Sequence, residues 1–209
     1  MGKIPFDKLA PGMQTGDLVL FNGKYPGSKF IEFMEGSEWS HVGMVVRLSG
    51  FGQPLVWEAT SLTNLQDVLF HDQKPGPKLV DLKDRLVHYG DDLKHYENAN
   101  FAYRKLQVER TGEMMKAVEA LFPKLHGIPD PGFWEMIWEV IKGRFFHISV
   151  TLDHYFCSEL VAETYLTMGL IGNKMPINAY MPVDFADKGK LKLLKGILEP
   201  EVLIEIRHV

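Results

Sequence analysis

The sequence predicts an α+β domain, and three observations carry that expectation. Short apolar runs closed by turn residues fill the first half of the chain, helical periodicity follows in the second half, and one more apolar run ends it. Strands in succession followed by helices in succession give a mostly antiparallel sheet or barrel packed against helices, not the alternation of a parallel βαβ chain. A length of 209 residues suits one domain, 1–209, with a sizeable core.

Asp17-Leu18-Val19-Leu20-Phe21, ended by Asn22-Gly23, reads as a buried strand and its turn. Phe30-Ile31-Glu32-Phe33-Met34 reads as a short helix. A second strand covers 42–48 and turns at Ser49-Gly50; Leu55-Val56-Trp57-Glu58-Ala59-Thr60 is the third. The short connections between them make an antiparallel meander. Gln73-Lys74-Pro75-Gly76-Pro77-Lys78 reads as a loop and 79–82 as a short strand. The charged stretch 84–100 reads as surface, with Leu86, Val87 and Leu93 turned inward, and 101–108 as a further strand. Met114, Val118, Leu121, Phe122 and Leu125 fall on one face of a helix over 113–125. Phe133, Trp134, Ile137, Trp138, Ile141 and Phe145 do the same over 133–146, with Glu135, Glu139 and Lys142 on the other side. This face suits either core packing or an apolar wall over a site. A helix starts at Cys157 and stops near Gly169, 182–188 is a turn entering a short helix, and 202–206 is the last strand.

A hydrophobic share of 45% beside 24% charged residues is the balance of a globular chain. A net charge of −4 with no basic stripe gives no reason to expect nucleic acid as a partner. One cysteine excludes an intrachain disulfide and suits a reducing compartment. No segment reaches the roughly 20 apolar residues of a membrane span, and Met1-Gly2-Lys3-Ile4-Pro5-Phe6-Asp7 lacks the apolar run of a signal peptide. The expectation is a cytoplasmic protein without stable membrane insertion.

Chemistry concentrates around that one cysteine. At a helix start, free backbone N–H groups and the positive end of the helix dipole favour a thiolate, the nucleophilic form. A cysteine nucleophile also needs a base within hydrogen-bond reach and a third polar group that fixes the imidazole. His41 opens Ser40-His41-Val42-Gly43-Met44-Val45-Val46, so its ring projects near a sheet end, with Gly43 leaving room on the same face for a neighbouring helix. Glu58 stands in an otherwise apolar or small run, so it is either on an exposed edge or buried with a partner. On a strand beside His41 it could accept from the imidazole, and Glu58→Gln should then lower activity at little cost in stability. His154, three residues before the cysteine, is a rival base with poor reach. His71, His88, His95, His126, His147 and His208 are scattered, and no HExxH or paired CxxC spacing marks a metal site; no cofactor is expected.

Gly16-Asp17-Leu18-Val19-Leu20-Phe21, Ser40-His41-Val42-Gly43-Met44-Val45, Trp57-Glu58-Ala59-Thr60, Tyr155-Phe156-Cys157-Ser158-Glu159-Leu160-Val161 and Pro182-Val183-Asp184-Phe185-Ala186 together resemble the circularly permuted NlpC-like papain-fold cysteine hydrolases. The YiiX-like group is the nearer match and the lecithin retinol acyltransferase-like enzymes the more distant one. The histidine strand precedes the cysteine helix, as in the permuted branch. The resemblance implies Cys157 as nucleophile, His41 as base and Glu58 as the residue orienting His41, in a position where the wider group often has His. Tyr155, Ser40 and Trp39 are candidates for the oxyanion and substrate subsite, and the Cys157 backbone N–H is the stronger oxyanion donor. The implied activity is an amidase or peptidase working through a thioester on a small peptide or amide, cell-wall peptides included. Acyl transfer to or from a lipid on the same triad is the alternative, with an acyl-lipid substrate. A ligand-binding module in which Cys157 is only structural is the third reading.

Overall fold

The computed structural model describes residues 2–23, 38–91, 99–129, 155–189 and 191–206. The expected elements over 30–34 and 133–146, and the rival base His154, lie outside these residues. The described elements begin with β1 (Ile4–Pro5), α1 (Phe6–Leu9), β2 (Leu18–Asn22), β3 (His41–Val46), β4 (Leu55–Thr60) and β5 (Gly76–Asp81). They continue with α2 (Leu82–Val87), β6 (Asn100–Arg104), β7 (Leu106–Gln107), α3 (Gly112–Leu125), α4 (Cys157–Thr167), β8 (Ile197–Leu198) and β9 (Val202–Glu205). Seven strands form an open sheet in the order β1-β9-β6-β2-β3-β4-β5, and β7 pairs with β8 in a second, two-stranded sheet. Every pairing is antiparallel except β1 with β9. The protein is thus a mixed α+β chain with a mostly antiparallel sheet against helices; β2 to β4 lie in the order of the expected meander, and β5 extends it.

Both faces of the sheet are covered, which is why its strands read as continuous apolar runs rather than alternating ones. Leu18, Leu20, Val42, Met44, Leu55, Trp57 and Leu79 point to one face, where α3 and α4 pack through Met114, Val118, Phe122, Leu160, Val161 and Tyr165. Val19, Phe21, Val45, Val56, Val80, Phe101 and Tyr103 point to the other, against Phe6, Ala10, Met13, Leu82 and Leu86. Period-two geometry therefore assigns His41 and Gly43 to the second face with Val45, and Glu58 with Val56.

Three local expectations are corrected. The run 101–108 breaks at Lys105: the Leu106 N–H turns to Asp17 Oδ1, and Leu106–Gln107 joins β8 instead of continuing β6. The loop over 73–78 is half strand, because β5 starts at Gly76 and lies last in the sheet, where Pro77 needs no outward hydrogen bond. The charged surface from 84 onward begins inside α2, whose first turn is capped by the Asp81 carboxylate on the Asp84 N–H at 3.0 Å.

Two polar contacts fix α4 and hence the position of Cys157 at its start. The Trp57 indole donates to Thr164 Oγ1 at 3.2 Å, and the Tyr165 hydroxyl donates to the Gly16 carbonyl at 2.7 Å. Gly16, at φ +97°, delivers the chain to Asp17, which is fully buried. The Asp17 carboxylate accepts from the Gln14 N–H, the Tyr103 hydroxyl, the Leu106 N–H and Arg110 Nη2. One side chain thereby joins β2, β6, β7 and the entry to α3. Replacing Asp17 by Asn puts an amide donor among four donors and strips Arg110 of its counter-charge. The expected loss is about 3 kcal/mol of unfolding free energy in urea titration, and a loss below about 1 kcal/mol would contradict this role.

Candidate active site

The ladder of β3 with β4 pairs Met44 with Trp57, Val45 with Val56 and Val46 with Leu55. One step further along, Gly43 lies beside the base of Glu58: a Cβ there would stand 3.6 Å from Glu58 Cβ and 2.5 Å from Val56 Cγ2. The space left by Gly43 therefore serves the neighbouring strand, not a helix as the sequence suggested. On this face His41 Nε2 and Glu58 Oε2 are 2.8 Å apart. Glu58 is fully buried and His41 is 8% exposed, so the edge-strand reading of Glu58 does not apply.

Cys157 is the first residue of α4 and is partly exposed. Its sulfur lies near enough to the His41 ring for its charge to act on the imidazole. The structure thus brings Cys157, His41 and Glu58 into one line of contact. Burial works against a charged imidazole, but the charge and hydrogen bond of Cys157, followed by those of Glu58, raise His41 to about 10. The ring is also held by rings: Phe21 meets it edge-on at 5.0 Å and Tyr89 stacks at 6.0 Å. The α4 start is ordered by Glu159, whose Oε2 accepts from the Phe156 N–H at 3.0 Å, and by the Ser158 hydroxyl donating to the Tyr180 carbonyl at 2.9 Å. Neither bond uses the Cys157 N–H, and the first N–H groups of a helix have no acceptor within it.

The sequence reading missed what lies behind Glu58. Arg85 Nε donates to Glu58 Oε1 at 2.5 Å, and both side chains have no exposed surface. Arg85 Nη1 donates to Asn64 Oδ1 at 2.9 Å, while Arg85 Nη2 has no hydrogen-bond partner among the described residues. Burial alone would raise the Glu58 carboxyl, but the Arg85 charge first, then His41, holds it down to about 2. Lys78, directly across from Glu58 on β5 and 2% exposed, donates to the Leu62 carbonyl at 2.9 Å. Burial lowers Lys78, and the Glu58 charge opposes that. A signal for Arg85 was present: Leu82, Arg85, Leu86 and Tyr89 recur at helical spacing, so the arginine shares the buried face.

The three candidates for the oxyanion and substrate subsite have structural partners of their own. Trp39 is 2% exposed and belongs to the core that holds Leu20 and Val42. The Ser40 hydroxyl accepts from the Gly23 N–H at 3.1 Å and approaches the Phe21 carbonyl at 3.4 Å, tying the residue before β3 to the end of β2. Tyr155 is 7% exposed in the same core, and its phenol is pushed up to about 12, first by burial and then by Glu163 and Glu159. Among the other described histidines, His126 stacks on Phe70 and pairs with Asp72, and His88 pairs with Asp91. Among the described residues no group of three or more His, Cys, Asp or Glu side chains is arranged to hold a metal ion, and no helix is long and apolar enough to cross a membrane.

No family model matches the chain, and no curated protein matches it. Among solved structures, it is similar to the metalloprotein yiiX from Escherichia coli O157:H7, DUF1105, at 22% identity with a TM-score of 0.49. The match covers 75% of this chain and 66% of that one, so this chain spans just under two thirds of that protein's length.

Proposed function

We propose that this protein is a cysteine-nucleophile hydrolase of the permuted NlpC-like papain type, cutting a small amide or peptide through a thioester in one domain. The observation that carries the reading is the contact line from Cys157 through His41 to Glu58. A partly exposed sulfur at a helix start, beside an imidazole that is itself anchored on a buried carboxylate, is the arrangement nucleophilic catalysis needs.

The resting pair is a thiolate beside a protonated His41. The sulfur attacks the carbonyl carbon, and the carbonyl electron pair moves to oxygen, where the Cys157 backbone N–H at the helix start can receive it. Collapse expels the amine, which takes the proton from His41, and leaves the acyl group on sulfur. Neutral His41 then draws a proton from water as the water oxygen attacks the thioester. The acid departs, and the thiolate and protonated His41 return. Throughout, Glu58 holds Nε2, so that the other ring nitrogen stays on the reacting side.

Three outcomes follow. Iodoacetamide should label Cys157 in the folded protein at neutral pH about tenfold faster than glutathione, and failure to label removes every enzyme reading. Short peptide amides should then leave an acyl adduct on Cys157 visible by mass spectrometry. An adduct formed only from acyl-lipid esters would replace the amidase reading by lipid acyl transfer or deacylation.

The leaving amine needs a proton, so kcat should persist while His41 keeps one. A value raised to about 10 keeps that proton above neutrality, and activity should fall only as pH rises through about 10. An alkaline limb near the ordinary histidine value of 6.5 would rule out this pairing.

Glu58→Gln is now expected to lower stability as well as activity, unlike the expectation from sequence. It leaves Arg85, with no exposed surface, without its carboxylate. A loss of about 3 kcal/mol in urea titration is expected, and unchanged stability would mean the Arg85 charge is balanced elsewhere.

A further inference from the structure

Arg85 meets the group through Glu58, and like Glu58 its side chain has no exposed surface. From the surface inward the order is Cys157, His41, Glu58, Arg85, each in contact with the next. In the resting state these are a thiolate, an imidazolium, a carboxylate and a guanidinium, so the signs alternate and sum to zero. Further charges belong to the surroundings: Lys78 faces Glu58 from β5, Asp67 and Asp72 act on Lys78 from the loop before that strand, and Asp72 is itself paired with Lys74 and His126. The cation in direct contact with Glu58 behind His41 is Arg85. We propose that Arg85 is a positioning and charge-balancing residue for the nucleophile: by neutralising Glu58 from behind, it lets the thiolate and the imidazolium coexist at rest. This rests on the reading of Cys157 as nucleophile.

The construction is specific to arginine. The guanidinium gives Nε to Glu58 and Nη1 to Asn64 from one rigid plane. The side chain of Asn64 in turn donates to the His88 carbonyl at 2.7 Å, just beyond the end of α2. Tyr89, stacked on the His41 ring, follows at once. The short segment 82–89 thus holds Glu58 through Arg85 and His41 through Tyr89. Burying an unpartnered Nη2 is costly, and an apolar residue at 85 would avoid that cost. The retained cost suits a residue selected for its charge.

Charge balance has a consequence that a merely structural role lacks. Removing Arg85 leaves the line with one excess negative charge, so it binds a proton more readily. The most basic site takes it, and a thiolate is more basic than a carboxylate. Removing the Glu58 charge instead leaves one excess positive charge and favours loss of a proton. The two variants should move the pH of half-maximal alkylation in opposite directions.

The experiment is the pH dependence of iodoacetamide labelling of Cys157, read by mass spectrometry on protein verified as folded by circular dichroism. Arg85→Met is expected to move the half-reactive pH upward by about one unit. Glu58→Gln is expected to move it downward, and the double variant should return it towards the unsubstituted protein. Arg85→Lys, which keeps the charge and loses the fork, should leave it in place while lowering kcat. If Arg85→Met does not fold, Glu58→Gln and the double variant decide, since a downward shift cancelled in the double variant still requires the Arg85 charge. Folded variants whose half-reactive pH does not move, or moves in one common direction, overturn the proposal. If unsubstituted Cys157 is not labelled faster than glutathione, the nucleophile reading itself has failed. If it is, and Arg85→Met matches it, only the charge balance has failed.

Discussion

Everything at this site depends on keeping one carboxylate ionised where no water reaches it. Taking Glu58 out of solvent costs several kcal/mol, and that cost is offset only by partners in good geometry on both oxygens. Oε2 meets His41 and Oε1 meets Arg85, one from β3 and one from α2. The backbone must therefore bring a strand, its neighbour and a helix from further along the chain to one point. Gly43 contributes by absence, since any side chain there would meet Val56 and crowd the base of Glu58.

The sheet solves a second problem, which is how Cys157 and His41 come to touch. Cys157 packs at the margin of the core between the sheet and the α3 and α4 helices, while the His41 ring sits with Phe21 and Tyr89, which belong to the opposite core. Residues on opposite faces of a sheet do not normally meet. They meet here because His41 is the first residue of its strand and Cys157 the first of its helix, so the contact forms past the end of the sheet. The pins Trp57 to Thr164 and Tyr165 to Gly16 hold the body of α4 down, which leaves its first turn as the part directed at the strand end.

What the sequence made legible follows from how local each signal was. The meander was readable because each strand is short, apolar and closed by turn residues, and α3 and α4 because their apolar faces recur at helical spacing. Glu58 was readable as an anomaly, a carboxylate among Trp57, Ala59 and Val56. Arg85 carried a weaker signal, its helical spacing with Leu82, Leu86 and Tyr89, which the charged stretch around it masks because such a stretch reads as solvated. Trp39 stands two residues before His41, a spacing that places both on one side of a continuous strand, yet Trp39 enters the helix-covered core while His41 joins Phe21 on the other, because β3 begins only at His41. The break after Arg104 was equally hidden, because it depends on Asp17, far away in sequence, capturing the Leu106 N–H.

The cost of this arrangement argues for its use. Buried ion pairs contribute little net stability, and apolar residues of similar volume often stabilise a fold more. A carboxylate, a guanidinium and a lysine, all at 2% exposure or less, are hard to justify as architecture. The same sheet face holds Val45, Val56 and Val80 within one or two positions of them, so an apolar solution was within easy reach. Asp17 shows what a structural buried carboxylate looks like in this protein: four donors from four segments, ending on a partly solvated arginine. Glu58 differs, because its line of contacts runs outward through the His41 ring to the end of its strand, beside the partly exposed Cys157 at the start of α4. Stability spent on a buried ion pair that ends beside a partly exposed thiol suits the function proposed above better than it suits architecture.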